Sequence, residues 1–563
     1  LYKKDEFEFQ RLHGMGEGLH TCLVESGYKS RIYAPVGIYK DLLAYLVRRL
    51  LENGANTSFL NIQVVKDLFN TTEYRWLGQG HTLLPTWKDI FPNRKNSKGI
   101  DLSCATTLNK LNKISVNVPE TKETRSMHMS AQMQATSDAF ESWSKTSVFE
   151  RTKIVRTFAD KLEEHMPQLI SIMAKEAKKT ITDSVSEIRE AVDFCRYYSL
   201  VAEDMFTTKI NKSVTGELNQ YLYKPRGLWT TISPWNFPVA IFVGPLIGAL
   251  VSGNTVLAKP AEQVQGIAQY IMDLLYESGL PKNVVMLCLI DRIFATQVVV
   301  NKNVKGISFT GSEKTAYKIN EVLATRETYI KRIYAETAGV NWMIVDSSAL
   351  LEQAVIDTVA GAFNSAGQRC SATRIVAVHD GIYDDFKTML LGAMKELQVG
   401  PALRFNTDVG EIIDKNALDK LKAYDNTVIA QGQCLWPCVI EIDNAEEYME
   451  EQFGPILHIL RFTNETFSSI INIINSSEYG LTLGIQSRVP STIDYVVNNV
   501  NVGNIYINRN QIGAVVESQP FGGVSRSGTG PKAGGPDYLK QFVYEQAISN
   551  NITAIGGNVE LLS

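Results

Sequence analysis

The chain lacks a cysteine framework. Its seven cysteines (Cys22, Cys104, Cys195, Cys288, Cys370, Cys434 and Cys438) are dispersed over 563 residues, and only Cys434 and Cys438 lie close together. No second cysteine or histidine pair completes a zinc-binding spacing around them, so no metal site is expected. An odd, scattered set in so long a chain points to a reducing compartment, read here as the cytoplasm, without disulfides. No apolar run is long and uninterrupted enough to cross a bilayer. The best, residues 239–253, is broken by glycine and proline and has the length of a buried helix. Excess charge is also lacking: 56 lysines and arginines against 60 aspartates and glutamates leave a net −4, which gives no ground for nucleic acid as a partner. Repeats and low-complexity tracts are absent. The first residue is Leu1 rather than a methionine, and LYKKDEFEFQ is no signal peptide, so the chain is expected to begin partway through a longer reading frame.

What is present is the material of a multidomain α/β protein, since 563 residues exceed one core. Near the N-terminus SRIYAP reads as a strand. GIYKDLLAYLVRRLLENG reads as a helix with Leu42, Leu43, Leu46, Val47, Leu50 and Leu51 on one face and a stop at Asn53-Gly54. Residues of roughly 64–120 form a connector rich in Pro, Asn, Lys and Ser. Helical spacing takes over from about residue 125. From residue 228 short β-type runs (LWTTIS, NTVLAK, NVVMLCLI, VKGISFTG) alternate with helices, and a second alternating set starts at NWMIVD and continues through RIVAVHD to VGNIYINR. Such alternation predicts parallel sheets covered on both faces, in two α/β domains. The expected division is 1–62, a linker over 63–124, a first α/β domain over 125–340 with a hairpin near 214–226, a second over 341–520, and a return segment over 521–563.

Cys370 stands in AFNSAGQRCSATR, among small and polar residues, whereas free cysteine usually behaves as a buried apolar side chain. A thiol so placed reads as a nucleophile if the chain also supplies a base, an oxyanion donor and an electron acceptor. Four strand ends carry polar landmarks: Asn236 in TISPWNFP, Lys259 and Glu262 in NTVLAKPAEQ, Gly311-Ser312 in SFTGSEKTA, and Glu336 in YAETAG. Sheets of this type hold ligands beyond the carboxyl ends of their strands. The Asn236 amide suits an oxyanion, and Glu336 suits a general base for the thiol or for a water. Lys259 and Glu262 suit ribose hydroxyls, and a carboxylate there repels a 2′-phosphate, favouring NAD over NADP. The partial glycine motif GTGPKA, residues 528–533, is a decoy for dinucleotide binding, because GGP follows it instead of a helix.

The order of SPWNFP, VLAKPAEQ, FTGS, AETAG, GQRCSA, EQFGP and PFGG…SGTG resembles that of the aldehyde dehydrogenases over residues 125–563. The resemblance implies the α/β aldehyde dehydrogenase fold: a Rossmann-like NAD-binding domain, an α/β catalytic domain, and a small oligomerisation element formed by TGELNQYLYKPRG with the C-terminal tail. It implies Cys370 as nucleophile, Glu336 as base and Asn236 as oxyanion donor. It places the dinucleotide, NAD, on Ser233, Lys259, Gly311, Ser312, Thr315 and Glu451. Within the family, MIVDSSALLEQAV, NIYINRNQIGAVVESQPFGG and SGTGPKAGGPDYL are similar to the glutamate-semialdehyde dehydrogenase half of the bifunctional proline-degrading enzymes, the proline utilization A group. That implies a carboxylate-bearing aldehyde held near Ser371 and Ser527, Gly528 and Thr529, and a homo-oligomer such as a dimer. EFQRLHGMGEGL, RIYAPVG and LLAYLVRRLLENGANTSF resemble the end of the flavin-dependent proline dehydrogenase barrel of that group, with Tyr45, Arg48 and Arg49 matching its proline-binding residues. Only about the last two of eight barrel units match, and a barrel closes only with all its strands. Neither FAD binding nor proline oxidation is therefore expected.

Three departures from the family pattern stand out. Ala338 replaces a glycine beside Glu336, no glycine follows NVVMLCL, and residues 425–438 are short. Two other readings stay open: a folded, catalytically silent fragment that still oligomerises, and a dehydrogenase for a different aldehyde.

Overall fold

The computed structural model describes residues 7–13, 16–37, 42, 90–102, 107, 111, 117–119, 126–290, 292–325, 330–425 and 427–555. All but Gly37 and Leu42 of the helix expected over residues 37–54, with Tyr45, Arg48 and Arg49, and most of the connector lie outside the described residues. Two compact units are present, Leu1–Ile90 and Phe91–Ser563. In the first, strand β1 (Glu8–Leu12) pairs in parallel with β2 (Lys29–Tyr33) across a helix, Glu17–Glu25, that buries none of its residues. The expected strand at SRIYAP is β2. A strand and helix ahead of it were not anticipated.

The second unit opens with helices. Ser147 caps the helix Val148–Glu164 with a reciprocal bond to Glu150, and Thr180 caps Ile181–Met205. Next come β3 (Lys209–Asn211) and β4 (Glu217–Pro225), then a parallel set: β5 (Leu228–Ile232), β6 (Thr255–Lys259), β7 (Val285–Leu287), β8 (Val304–Thr310) and β9 (Arg332–Glu336). These five lie in the order β7-β6-β5-β8-β9. β6 is buried at every residue, as strands covered on both faces require. The helix Ala240–Val251 is apolar on nearly all sides and buried beside this sheet, and is no membrane span. The chain winds outward from β5 in both directions, so the strand order reverses there and leaves a crevice beyond the carboxyl ends.

A second parallel sheet follows: β10 (Asn341–Val345), β11 (Thr373–His379), β12 (Cys438–Ile442), β13 (Ile456–Phe462), β14 (Thr482–Gln486) and β15 (Asn504–Ile507), ordered β12-β13-β11-β10-β14-β15. Only four residues separate the end of β9 from the start of β10, so the carboxyl edge of the first sheet faces the amino edge of the second. The tail strand β16 (Val543–Asn551) pairs antiparallel with β4, Val543 opposite Pro225 and Asn551 opposite Glu217, joining hairpin and tail in one three-stranded sheet.

The first sheet has a tight spot at its centre. Trp229 on β5 is fully buried and lies opposite Gly306 on β8; a Cβ at 306 would stand 2.1 Å from the indole ring. Rigid neighbours cannot absorb such overlap. Gly306→Ala is expected to cost about 1–3 kcal/mol of unfolding free energy, read as a lower urea midpoint at unchanged slope.

Candidate active site

The Cys370 segment begins where the helix Leu351–Phe363 ends. Ser365, Ala366 and Gly367 have φ values of 54°, 53° and 65°, a left-handed run that only glycine adopts freely. Gly367 has no substitute: a Cβ there would meet the Gly454 carbonyl at 2.1 Å. Side chains lock the turn. Arg369 donates to Ser365 Oγ at 2.9 Å and pairs with Asp183 at 2.6 Å. The buried Arg374 guanidinium donates to the carbonyls of Gly367 (2.7 Å), Arg369 (2.9 Å) and Gly454 (3.2 Å). Asn341, at the start of β10, donates to the Cys370 carbonyl at 2.6 Å.

Asn236 lies between β5 and the helix Ala240–Val251. Its Nδ2 donates to the Gln368 carbonyl at 3.0 Å, which brings the amide to the nucleophile turn. Its own carbonyl accepts from Lys179 Nζ at 2.8 Å; Lys179 pairs with Glu187 at 2.7 Å, and Glu187 accepts the Val239 N–H at 2.7 Å. Glu336 is the last residue of β9. Its Oε2 accepts the Gly523 N–H at 2.9 Å, and a Cβ at Gly522 or Gly528 would reach its carboxylate at 2.9 Å. Burial pushes Glu336 up to about 8, against the pull of the Gly523 N–H and Lys532. Burial also drives the Cys370 thiol up, to about 12, with the Glu451 and Glu336 charges adding to it and Arg374 opposing. Each group thus lies within the other's field.

Ser233 and Lys259 sit together at the ends of β5 and β6, the Ser233 N–H donating to the Lys259 carbonyl at 3.0 Å. Both are buried, and the Ser233 hydroxyl has no protein partner. Glu262 is exposed in the short turn Glu262–Val264. The Gly311 N–H donates to the Glu336 carbonyl at 3.1 Å, and the hydroxyls of Ser312 and Thr315 meet at 2.9 Å where the helix Glu313–Ala324 begins. Glu451 stands apart from these: it accepts the Gly339 N–H at 3.4 Å and lies 3.5 Å from Arg374, so its contacts are with the nucleophile turn.

Ser371 is buried directly after the nucleophile. The other residues expected at a substrate carboxylate are placed differently. The Ser527 hydroxyl accepts the Gly480 N–H at 3.1 Å, Gly528 bridges Glu336, and Thr529 binds Ala335 through both its N–H (3.0 Å) and its hydroxyl (2.9 Å). Within SGTG the Ser527 and Thr529 N–H groups are taken, by the Val524 and Ala335 carbonyls, the latter bracing β9. Ala338, which stands where the family pattern has a glycine, has no left-handed φ, so the replacement carries no backbone strain. The glycine that matters is Gly339, whose Cβ would stand 2.7 Å from Asn341 Oδ1 and 2.9 Å from the Cys370 carbonyl. The glycine-free stretch after β7, residues 290–297, runs into the helix Arg292–Val300, with residue 291 outside the described residues.

Sequence reasoning missed Asn341, Arg374, Lys532 and Glu190. Asn341, a polar residue opening an apolar strand, is a readable signal; Arg374 bonds backbone carbonyls, which carry none. Glu190, on the helix Ile181–Met205, is pushed up to about 7 by burial and by Glu187, while Arg369 and Lys179 pull it down. Tyr506 feels both Glu190 and Cys370. Its spacing from Asp183 and Glu187 puts the three acids on one helical face.

Residues 107–548 match the aldehyde dehydrogenase family, and residues 1–62 match proline dehydrogenase. The bifunctional protein PutA of Salmonella typhimurium is 39% identical over 96% of this chain, but over 46% of its own length; the chain thus spans about half of such relatives. The 1-pyrroline-5-carboxylate dehydrogenase of Staphylococcus aureus is 33% identical, covering 74% of this chain and 84% of that protein. A crystal structure of bifunctional proline utilization A superposes with a TM-score of 0.85 at 40% identity, covering 98% of this chain and 59% of that one.

The raised Cys370 thiol gives a signed expectation. Thiolate fraction grows with pH below the thiol's pKa, so alkylation of Cys370 by iodoacetamide in the cofactor-free chain should climb steadily to at least about pH 9 without a plateau. Mass spectrometry of the labelled peptide reads the rate. A plateau near neutrality would show a thiolate that this geometry does not stabilise.

Proposed function

The chain belongs to the aldehyde dehydrogenase family, and from that premise we propose that it oxidises L-glutamate 5-semialdehyde, the open form of 1-pyrroline-5-carboxylate, to L-glutamate with NAD, as a step of proline degradation. One observation carries the reading: the Asn236 amide reaches the Gln368 carbonyl, two residues before Cys370, and the Glu336 charge bears on the Cys370 thiol, although the three residues are far apart in sequence. The names of the relatives supply the substrate.

The thiol gives up its proton, with Glu336 as acceptor, and sulfur bonds to the aldehyde carbon. The oxyanion of the resulting thiohemiacetal faces the Asn236 amide and the Cys370 N–H. A nicotinamide dinucleotide, when bound, supplies the hydride acceptor. The residues present suit that group: Ser233 keeps a buried hydroxyl without a partner at the strand ends where such ligands lie, beside Lys259. Ser312 and Thr315 at the start of a helix offer further donors. The exposed Glu262 carboxylate disfavours a 2′-phosphate, which favours NAD. Once Glu336 has released the thiol's proton to solvent, its carboxylate takes a proton from water; the hydroxide attacks the thioester carbon and the C–S bond breaks, releasing the acid and the thiolate. Ser371 is our candidate contact for the substrate carboxylate. The sheet of β3, β4 and β16, exposed along the tail strand, is our candidate for the surface between copies of a homo-oligomer.

The purified chain should generate NADH absorbance from the semialdehyde. Cys370→Ser should abolish it, and Asn236→Ala should lower kcat by about 10²–10³-fold. NADP should be the poorer cofactor in kcat/KM, and Glu262→Gln should narrow the gap. A flat trace from a folded chain with unmodified Cys370 would overturn the enzymatic reading. Turnover of short aliphatic aldehydes but not of the semialdehyde would overturn the substrate.

A further inference from the structure

The second half of GTGPKA, residues 531–533, had no task in the sequence reading. Its lysine is the centre of a knot. Lys532 Nζ donates to the carbonyls of Gly503 at 2.6 Å and Gly522 at 2.7 Å, and to Asn504 Oδ1 at 3.0 Å. Asn504 Oδ1 also accepts the Gly522 N–H at 3.2 Å, and Asn504 Nδ2 donates to the Pro520 carbonyl at 2.8 Å. The ammonium therefore ties the start of β15 to residues 520–522. The next N–H along, at Gly523, is the one that donates to Glu336 Oε2 at 2.9 Å.

All three of these partners are neutral oxygens. A neutral donor could satisfy such oxygens, and a half-buried cation costs desolvation, so the charge calls for an explanation. Its field falls on Glu336. The other titratable groups that feel the Glu336 charge are Cys370, from the nucleophile turn, and Tyr538, from the short turn Tyr538–Phe542. Burial raises both and keeps them neutral in the working range. Lys532 is thus the one cation acting on Glu336 among the described residues.

From this geometry we propose that Lys532 is a positioning residue for Glu336: its hydrogen bonds aim the Gly523 N–H at the carboxylate, and its charge favours the ionised form of that carboxylate. The inference rests on the reading of Glu336 as general base. A nearby cation favours the carboxylate, so removing it raises the pKa of Glu336 and moves the acid limb of the rate profile to higher pH.

The test is kcat against pH with the semialdehyde and NAD, on the full chain. Lys532→Met removes charge and donors; Lys532→Gln removes the charge but keeps two donors, and it decides alone if the methionine variant does not fold. Lys532→Arg keeps the charge. Both neutral variants should shift the acid limb upward by roughly half to one pH unit, with the arginine variant close to the parent. Thermal melts confirm folding, and a structural role alone would lower kcat without moving the limb. Glu336→Gln separates the two readings. If it is inactive and the limb stays in place in a folded neutral variant, the role of Lys532 is overturned while the base stands. If Glu336→Gln retains full activity, the base reading falls, and this inference falls with it.

Discussion

Arg374 binds no reacting atom in the proposed chemistry, yet the nucleophile turn depends on it. The two non-glycine residues of the left-handed run, Ser365 and Ala366, cost on the order of 1–3 kcal/mol each. Three carbonyls from two loops converge on one guanidinium, and hydrogen bonds to a charged group contribute roughly 1.5–3 kcal/mol apiece. The clamp is large enough to offset the strain. A lysine could not replace it, because the carbonyls are met by a planar fork and not by a point charge. Glu451, 3.5 Å away, partly compensates the buried cation, which accounts for a carboxylate beside a thiol that it disfavours.

That arrangement has an electrostatic consequence. Cys370 and Glu336 are both half-buried, and the Glu336 charge opposes ionisation of the thiol. The crevice therefore tolerates one negative charge more easily than two. Passing a proton from sulfur to carboxylate keeps the net charge of the pair constant while making sulfur nucleophilic. Glycines let the backbone approach the carboxylate where side chains would collide, so the N–H of Gly523 can substitute for water.

Much of this was legible in the linear chain. The alternation of short apolar runs with amphipathic stretches marked both parallel sheets, because buried parallel strands must be apolar on both faces. Cys370, Asn236 and Glu336 stood out because polar residues at strand ends have few other reasons to be there. The supports were less legible. Arg374 lies inside an apolar strand, and its partners are backbone carbonyls, which carry no residue signature. Lys532 sits in a glycine-rich run whose composition suggested a flexible loop. Ser527, Gly528 and Thr529 were misplaced for a related reason: a run of small polar residues looks the same in sequence whether its N–H groups await a ligand or pair with a strand.

The pairing of that last segment shows why the chain returns to the first sheet after building the second. β9 is the outer strand of its sheet, bonded on one side to β8. On the other side the Thr337 N–H donates to the Ser527 carbonyl at 2.9 Å, the Thr529 N–H donates to the Ala335 carbonyl, and the Thr529 hydroxyl accepts the Ala335 N–H. An exposed edge strand is a template for unwanted pairing, and covering it removes that hazard. Here the cover also holds Glu336, which ends the strand, from the side opposite its sheet partner. A base at the end of a free edge strand would fray with it. Closing the edge with a segment that comes late in the sequence ties the position of Glu336 to completion of the whole α/β unit, so the carboxylate is placed only once both sheets are in register.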